Sequence, residues 1–333
     1  MLPVKKVICL IGSLMLMASL LLACASTTGT PNAAGQGQES ANKEAGQGNK
    51  EAATRLFKDA KGREVTIPAA PQRAVVHYYA AEAISLGVKP VATNWINASL
   101  ILSKDQLQGI EDIGGEGVNP NVEKVLSLSP DLIIVPDFLE QTSLDALSKV
   151  APTVAVSYTD DIFTRMKTMG DVLGKSKEAE AWITRYKAKA QQKREQLKPY
   201  IKEGETASAF VFFQDKLLYV YGNQRLSSTL YDALGFSRPE KVAALFKDKP
   251  TLLWQSISNE ALPDYAGDRI FLVMLDNNEN AKKGAEELMN SPVWRNLPAV
   301  KNGKAYVVGN KWSFYDPVTL DWLLDEMPKL MMK

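Results

Sequence analysis

The stretch from Ser176 to Ile201 constrains this chain most, because it is the only long uninterrupted helix the sequence can form. Ala179, Trp182, Ile183, Tyr186, Ala190, Leu197 and Ile201 recur at steps of three, four or seven, which puts one apolar stripe on an otherwise charged rod. Glu178 and Glu180 sit in its first turns, and Lys193, Arg194 and Lys198 near its end, matching the helix dipole at both termini. Ser176 is the expected N-cap, and Pro199 with Gly204 closes the helix. At about 1.5 Å per residue the rod spans roughly 39 Å, more than the width of a small domain. It can therefore bridge two lobes; the alternative is a long surface helix of one domain, and the flanking sequence decides.

Before the helix, LFKDAKGREVTI reads as a hairpin turning at Asp59 to Gly62. Beyond Pro71, short apolar strands alternate with helices. Arg73 to His77, Lys89 to Thr93, Asp131 to Val135 and Thr153 to Val156 read as strands; Ala80 to Leu86, Asn121 to Leu128, Leu139 to Lys149 and Ile162 to Leu173 read as helices. Such alternation predicts an α/β layer with a mostly parallel sheet, in which ligands bind beyond the carboxyl ends of the strands. The residues just after each strand are therefore candidate ligand contacts: His77, Tyr78 and Tyr79, then Asn94 and Trp95, then Asp137 and Phe138, then Tyr158. Aromatic groups at all four strand ends favour a flat, partly apolar ligand over simple core packing. Gly114 to Gly117 lacks the Gly-Lys-Ser/Thr ending of a phosphate loop and reads as a turn.

After the helix the alternation returns. Ala207 to Phe213 and Lys216 to Val220 read as two strands joined at Gln214-Asp215, followed by the loop Tyr221 to Arg225 and a helix from Ser227 to Leu234. Further strands are expected at Leu252 to Gln255, Arg269 to Met274 and Ala305 to Val308, with helices near Asn259, at Ala281 to Met289 and from Val318. The predicted fold class is therefore α/β, two lobes with mostly parallel sheets joined by one long rigid helix, with a ligand cleft between them. The expected divisions are a leader over 1–23, a tether over 24–54, a first lobe over 55–173, the inter-lobe helix over 174–203 and a second lobe over 204–333. The second wall of the cleft would carry Arg225, Trp254, Met274, Asp276, Asn277, Trp312 and Tyr315. Arg225, on a loop after a strand, is the sharpest of these; its alternative is a solvated surface position.

Charge and composition narrow the chemistry. Thirty-nine basic against thirty-eight acidic residues leave a net charge of +1, so no large field points to a nucleic-acid partner. The only cysteines are Cys9 and Cys24, and the only histidine is His77, which rules out a disulfide or a multi-histidine metal site in the body. Lys5 and Lys6 precede an apolar run from Val7 to Leu22, short for a membrane span and right for a secretory signal; an uncleaved anchor is the alternative. The run ends in Leu21-Leu22-Ala23-Cys24, which resembles the lipobox of bacterial lipoproteins and implies cleavage before Cys24 and lipidation of its thiol. From Ala25 to about Thr54 the chain has no sizeable apolar residue, so it reads as a flexible tether with a reach of roughly 30 Å.

From about Leu56 onward the chain resembles the iron-siderophore substrate-binding lipoproteins of ABC importers, a family that includes cobalamin and haem binders. The resemblance is carried by AISLGVKPV at Ala83 to Val91, NPNVEKVLSLSPDLII at Asn119 to Ile134, LGKSKEAEA at Leu173 to Ala181, VYGNQRLSSTLYDALGF at Val220 to Phe236, and Ser291 to Val308 with Trp294, Pro298, Val300 and Gly303. It implies two lobes on one long helix, and a monomer that hands a ferric siderophore to an ABC permease dimer with its cytoplasmic ATPase. It further implies that Glu123 and Glu260, one on each lobe, dock onto permease arginines, and that Arg225 contacts the iron-chelating oxygens. A guanidinium offers such anionic oxygens a planar donor fork. Only Arg225 and Lys311 are basic on the predicted cleft loops, which tilts the ligand toward hydroxamate or mixed chelates rather than trianionic catecholates.

On this reading the ligand contacts are Arg225, His77, Tyr78, Tyr79, Trp95, Tyr158, Trp254, Trp312 and Tyr315. No cofactor and no protein-bound metal is expected, since the siderophore brings the six oxygen ligands of its iron. Within the same fold the rival cargoes are haem, with a tyrosine or His77 as axial ligand, and cobalamin, stacked on Trp95 and Trp312. A bilobal enzyme is a remote alternative: a Ser-His-Asp arrangement would need His77, no Gly-x-Ser-x-Gly elbow exists, and nothing pairs Glu116, Asp137 and Asp276 by spacing. A structural lipoprotein would not need an aromatic cleft.

Overall fold

The computed structural model describes residues 53–115, 117–275 and 277–332. The expected leader, Cys24 and the tether up to Ala52, with Glu116 and Asp276, lie outside the described residues. The first described element is the hairpin of β1 (Thr54–Lys58) and β2 (Glu64–Pro68). Asp59 Oδ1 accepts from the backbone N–H groups of Lys61 and Arg63, and Gly62 takes the positive φ that closes this turn.

The first five-stranded sheet is built from β3 (Ala74–Val76), β4 (Ala92–Thr93), β5 (Glu111–Asp112), β6 (Leu132–Pro136) and β7 (Thr153–Val156), all parallel, in the order β5-β4-β3-β6-β7. The hairpin docks on its β7 edge, where Ala60 N–H donates to the Ala155 carbonyl. The second sheet holds β8 (Ala207–Phe212), β9 (Leu218–Tyr221), β10 (Trp254–Ile257), β11 (Arg269–Val273) and β12 (Ala305–Val308), in the order β10-β9-β8-β11-β12. Here β8, β11 and β12 are parallel, whereas β9 is antiparallel to both its neighbours, and to β8 because a tight turn at Gln214-Asp215 leaves no length for a crossover. β6, β8 and β11 are buried from end to end. That is why they read as nearly continuous apolar runs rather than alternating ones, Ser208 in β8 and Arg269 at the start of β11 being the polar exceptions.

The long helix covers Ser176–Leu197, and a single 3₁₀ turn follows over Lys198–Tyr200. Pro199 forces the change, since it lacks an N–H and its ring clashes with the carbonyl of the preceding turn. Lys175 occupies the N-cap position and no side chain caps the helix there; Ser176 is its first helical residue, not its cap. Six residues of the expected stripe, Ala179, Trp182, Ile183, Tyr186, Ala190 and Leu197, face inward, whereas the seventh, Ile201, lies beyond the helix and is half-buried. They belong to one apolar core that continues from Val76, Ile134 and Val156 of the first sheet to Ala209, Val211 and Phe271 of the second. The C-terminal helix Pro317–Met331 lies against this rod, with Lys189 bound to Asp321 and Asp325 and Lys193 to Asp325, each at 2.8 Å. Its Val318 packs on the first-lobe cluster of Ala80, Ala81, Ala98 and Leu102, so the end of the chain ties both halves together.

Three helices lie where the strand-and-helix pattern gives none: Trp95–Ile101, Lys104–Leu107 and Glu240–Phe246. The first two are started by local caps, Asn94 accepting from Ile96 N–H and Ser103 forming a reciprocal capping box with Gln106. The helix expected over Ser227 to Leu234 is a short α turn, Leu226–Ser228, continued as a π-helix over Thr229–Ala233.

Candidate functional site

An open cleft of about 300 Å³ lies between the two lobes. Tyr78, Tyr158, Asn97 and Ile101 form the first-lobe wall. Tyr78 follows β3 and Tyr158 follows β7, as expected for the carboxyl ends of a parallel sheet. Asn97 and Ile101 come from the helix Trp95–Ile101, which the sequence pattern does not reveal. Tyr78, Tyr158 and Phe138 meet edge to face, with centroids 5.0 to 6.4 Å apart.

The second-lobe wall is made by Phe213, Gln224, Arg225, Leu253, Trp254 and Phe314. Phe213 follows β8 and Trp254 opens β10, and their rings pack at 5.0 Å. Arg225 adopts φ +60° and ψ −139°, a conformation costly for any residue with a Cβ. Its guanidinium lies over the Trp254 ring at 4.8 Å and the Tyr158 ring at 5.7 Å. It donates to the Ser313 carbonyl at 2.8 Å and to the Tyr158 hydroxyl at 2.5 Å, while its Nε is buried without an acceptor. Gln224 reaches across the cleft to the Thr159 carbonyl.

The floor consists of Tyr79, Glu82, Arg165, Tyr315 and Asp316. Arg165 and Glu82 form a buried ion pair at 2.9 Å. The same guanidinium donates to the Tyr315 carbonyl and lies between the rings of Tyr79 and Tyr315, at 5.6 and 5.2 Å. Burial raises the Glu82 carboxyl to about 7 against the pull of Arg165. Burial also raises the Asp316 carboxyl, whose Oδ1 caps the C-terminal helix through Val318 and Thr319 N–H while Oδ2 has no partner. The phenols of Tyr78, Tyr79 and Tyr315 are likewise raised by burial and stay neutral at neutral pH.

Six of the nine residues read from sequence as ligand contacts line this cleft: Tyr78, Tyr79, Tyr158, Arg225, Trp254 and Tyr315. Three do not. His77 is fully buried beside Tyr78, with Nε2 3.5 Å from the Asn94 amide, and burial lowers it to about 4. Trp95 begins a helix and its indole N–H is bound to the Ile110 carbonyl, turning it to a separate surface groove. Trp312 packs in the core against Phe271 and Trp322. Met274, Asn277 and Lys311 are also absent from the lining, Lys311 lying over the Trp322 ring instead. The sequence reading missed the other nine lining residues, among them the three charged ones Glu82, Arg165 and Asp316; of these three only Arg165, a charged residue between Ile162, Met166 and Met169 on the apolar side of a predicted helix, carried a signal in the sequence. Glu123, in the first turn of Val122–Ser127, and Glu260, in the 3₁₀ turn Asn259–Ala261, are both exposed. The backbone around Glu260 and the Ser258 hydroxyl hold the Glu260 carboxyl below its usual range.

The sequence pattern of the Periplasmic binding protein family matches residues 86–311. The chain belongs to that family. As a periplasmic binding protein it is 28% identical to the iron(3+)-hydroxamate-binding protein YxeB of Bacillus subtilis, over 99% of this chain and 98% of that protein. It is 30% identical to the iron(3+)-hydroxamate-binding protein FhuD of the same organism, over 89% and 92%. Two further relatives there are named as lipoproteins. Among solved structures it superposes on Staphylococcus aureus SirA complexed with staphyloferrin B with a TM-score of 0.72 and 29% identity, covering 84% of this chain and 99% of that one. It superposes on Staphylococcus aureus FhuD2 with bound ferrioxamine B at a TM-score of 0.67 and 27% identity, covering 78% and 98%. These relatives are named for binding.

Proposed function

We propose that this periplasmic binding protein captures a ferric siderophore, of hydroxamate or mixed type, and delivers it to an ABC permease without performing chemistry on it. The observation that carries this reading is the Arg225 guanidinium, held at the cleft between Trp254 and Tyr158 with one donor on the Tyr158 hydroxyl that a ligand oxygen can take over. An iron chelate presents a partly apolar periphery and a few anionic oxygens, and aromatic walls with one planar donor fork suit both. A siderophore supplies the oxygen ligands of its iron itself, so the iron would stay with its chelator. The relatives named for hydroxamates, staphyloferrin B and ferrioxamine B support the ligand class.

Within this reading the chain divides into a leader over 1–23, a tether over 24–54, lobes over 55–173 and 204–333, and a rigid connector over 174–203. Cys24 would anchor the protein outside the cell membrane, and Glu123 and Glu260 would meet the permease. Haem is the less favoured cargo. An axial ligand would have to come from buried His77 or from phenols that burial keeps protonated. Tryptophan-fluorescence titration with ferric hydroxamates, a ferric catecholate, ferric citrate, haem and cobalamin tests the assignment. Saturable quenching by a ferric hydroxamate, and not by the iron-free ligand, is expected; quenching by haem or cobalamin alone would replace the cargo.

A further inference from the structure

The charge balance of the cleft points to how it selects among chelates, an inference that rests on the siderophore reading above. Four of its lining residues are ionisable at neutral pH other than the phenols: Glu82, Arg165, Arg225 and Asp316. Above the Glu82 value of about 7, two acids therefore stand against two bases. Neither base is free in the ordinary sense. Arg165 is committed to Glu82, to the Tyr315 carbonyl and to two aromatic faces. Arg225 spends one donor on Ser313 and another on Tyr158.

The acids are less evenly satisfied. Glu82 has its guanidinium partner, but Asp316 uses only Oδ1 in capping, and Oδ2 remains buried with no partner. All three floor charges are almost wholly shielded from water: Glu82 and Arg165 are each 2% exposed and Asp316 5%. Weak screening there lets each charge act on whatever occupies the cleft above it.

We propose that Glu82 and Asp316 are specificity-determining residues for ligand charge: they offset Arg165 and Arg225, so the cleft takes ferric chelates of net charge near zero and disfavours polyanionic ones. An iron trihydroxamate is neutral, because three singly charged hydroxamates balance the ferric ion. An iron tricatecholate carries a charge of minus three. The neutral chelate feels little from either sign, whereas the trianion, which the two arginines alone would attract, has that attraction cancelled by the two carboxylates and gains nothing to replace its lost hydration.

The test compares wild type with Glu82→Gln and Asp316→Asn, each of which removes one negative charge at nearly constant shape. Asn caps a helix about as well as Asp, so Asp316→Asn keeps the cap that Asp316 provides. Dissociation constants for an iron trihydroxamate and an iron tricatecholate are measured at pH 8, above the Glu82 value of about 7. Wild type should bind the trihydroxamate more tightly, and the tricatecholate-to-trihydroxamate ratio of dissociation constants should fall at least about tenfold in each variant, a shift of about one pKa unit's worth of interaction. A purely structural role would weaken both chelates together and leave that ratio unmoved. An unmoved ratio in Asp316→Asn overturns the inference even if Glu82→Gln fails to fold. Preference of wild type for the tricatecholate also overturns it while leaving the siderophore reading intact, and binding of neither chelate removes both.

Discussion

Arg225 of the second lobe and Tyr158 of the first are joined across the cleft, the guanidinium Nη2 donating to the phenol oxygen at 2.5 Å. The same guanidinium lies 5.7 Å from the centre of the Tyr158 ring. A ligand oxygen that replaces this phenol gains a charge-assisted bond at the cost of a charge–neutral one, so Arg225 is poised to exchange partners rather than to acquire a first one.

Removing the guanidinium should therefore weaken binding of a ferric trihydroxamate by about 10- to 100-fold, the equivalent of a charged hydrogen bond worth about 1.5–3 kcal/mol. Tyr158→Phe should weaken it far less, because Arg225 keeps its Ser313 and Trp254 contacts. Titration by tryptophan fluorescence separates the two; equal losses would show that the tyrosine hydroxyl, not the arginine, is the ligand contact.

The backbone at Arg225 gives a second measurement. With φ at +60° and ψ at −139°, a side chain there costs about 1–3 kcal/mol that glycine does not incur. Arg225→Gly and Arg225→Ala lose the same contacts, so their difference isolates the strain. Chemical denaturation should find the glycine variant more stable by about 1 kcal/mol, and no difference would mean the backbone relaxes.

Buried titrating groups make a prediction about pH. Burial raises Glu82 from 4.5 to about 7, so the folded chain keeps a proton that the unfolded chain has released, and this contribution falls as pH rises from 4.5 to 7. His77 is the opposite case: burial lowers it from 6.5 to about 4, so its contribution is present above 6.5 and is lost as pH falls toward 4. Each amounts to about 3 kcal/mol across its window, and over the shared range they offset one another. His77→Asn should unmask the Glu82 slope, gaining stability relative to wild type as pH falls from 6.5, and Glu82→Gln should lose stability relative to wild type over the same change. Denaturant midpoints measured between pH 4.5 and 7.5 test both signs.

Much of this molecule was legible in the sequence because its signals are local. The buried stripe from Ala179 to Leu197 follows from helical spacing alone, and the apolar runs that begin at Leu132 and Ile270 follow from burial on both faces of a sheet. The cleft was legible only in part. Aromatic residues after strands identify Tyr78 and Tyr158, but Trp95 and Trp312 show the same local pattern and differ only in tertiary surroundings. Arg165 could not be placed without the fold, since its partners Glu82 and Tyr315 lie 83 and 150 residues away in the chain. Glu82 itself looks like an ordinary acid of a first helical turn until Arg165 is set against it.

Exposure of Glu123 and Glu260 on separate lobes allows delivery to be tested apart from capture. Neither lines the cleft. Alanine at both positions should abolish ferric siderophore uptake by cells while leaving the dissociation constant of the purified protein unchanged; a matching loss of affinity would place them in the ligand site instead.

The shared core sets how far the lobes can move. Trp182 and Tyr186 stack at 5.2 Å on the long helix, Phe163 of the first lobe packs on Tyr186 at 5.9 Å, and Lys189 and Lys193 bind the C-terminal helix that also touches the first lobe. A large hinge rotation would have to break this packing, and loss of one buried aromatic side chain alone costs about 3–5 kcal/mol. Ligand binding should therefore move the lobes by no more than about 2 Å, as in preorganised complexes. Spin labels at the exposed positions Asp145 and Glu286, one on each lobe, would read the separation with and without a ferric trihydroxamate. A longer displacement would mean that the helix bends or the core opens, and Trp182→Ala would then be expected to enlarge it further.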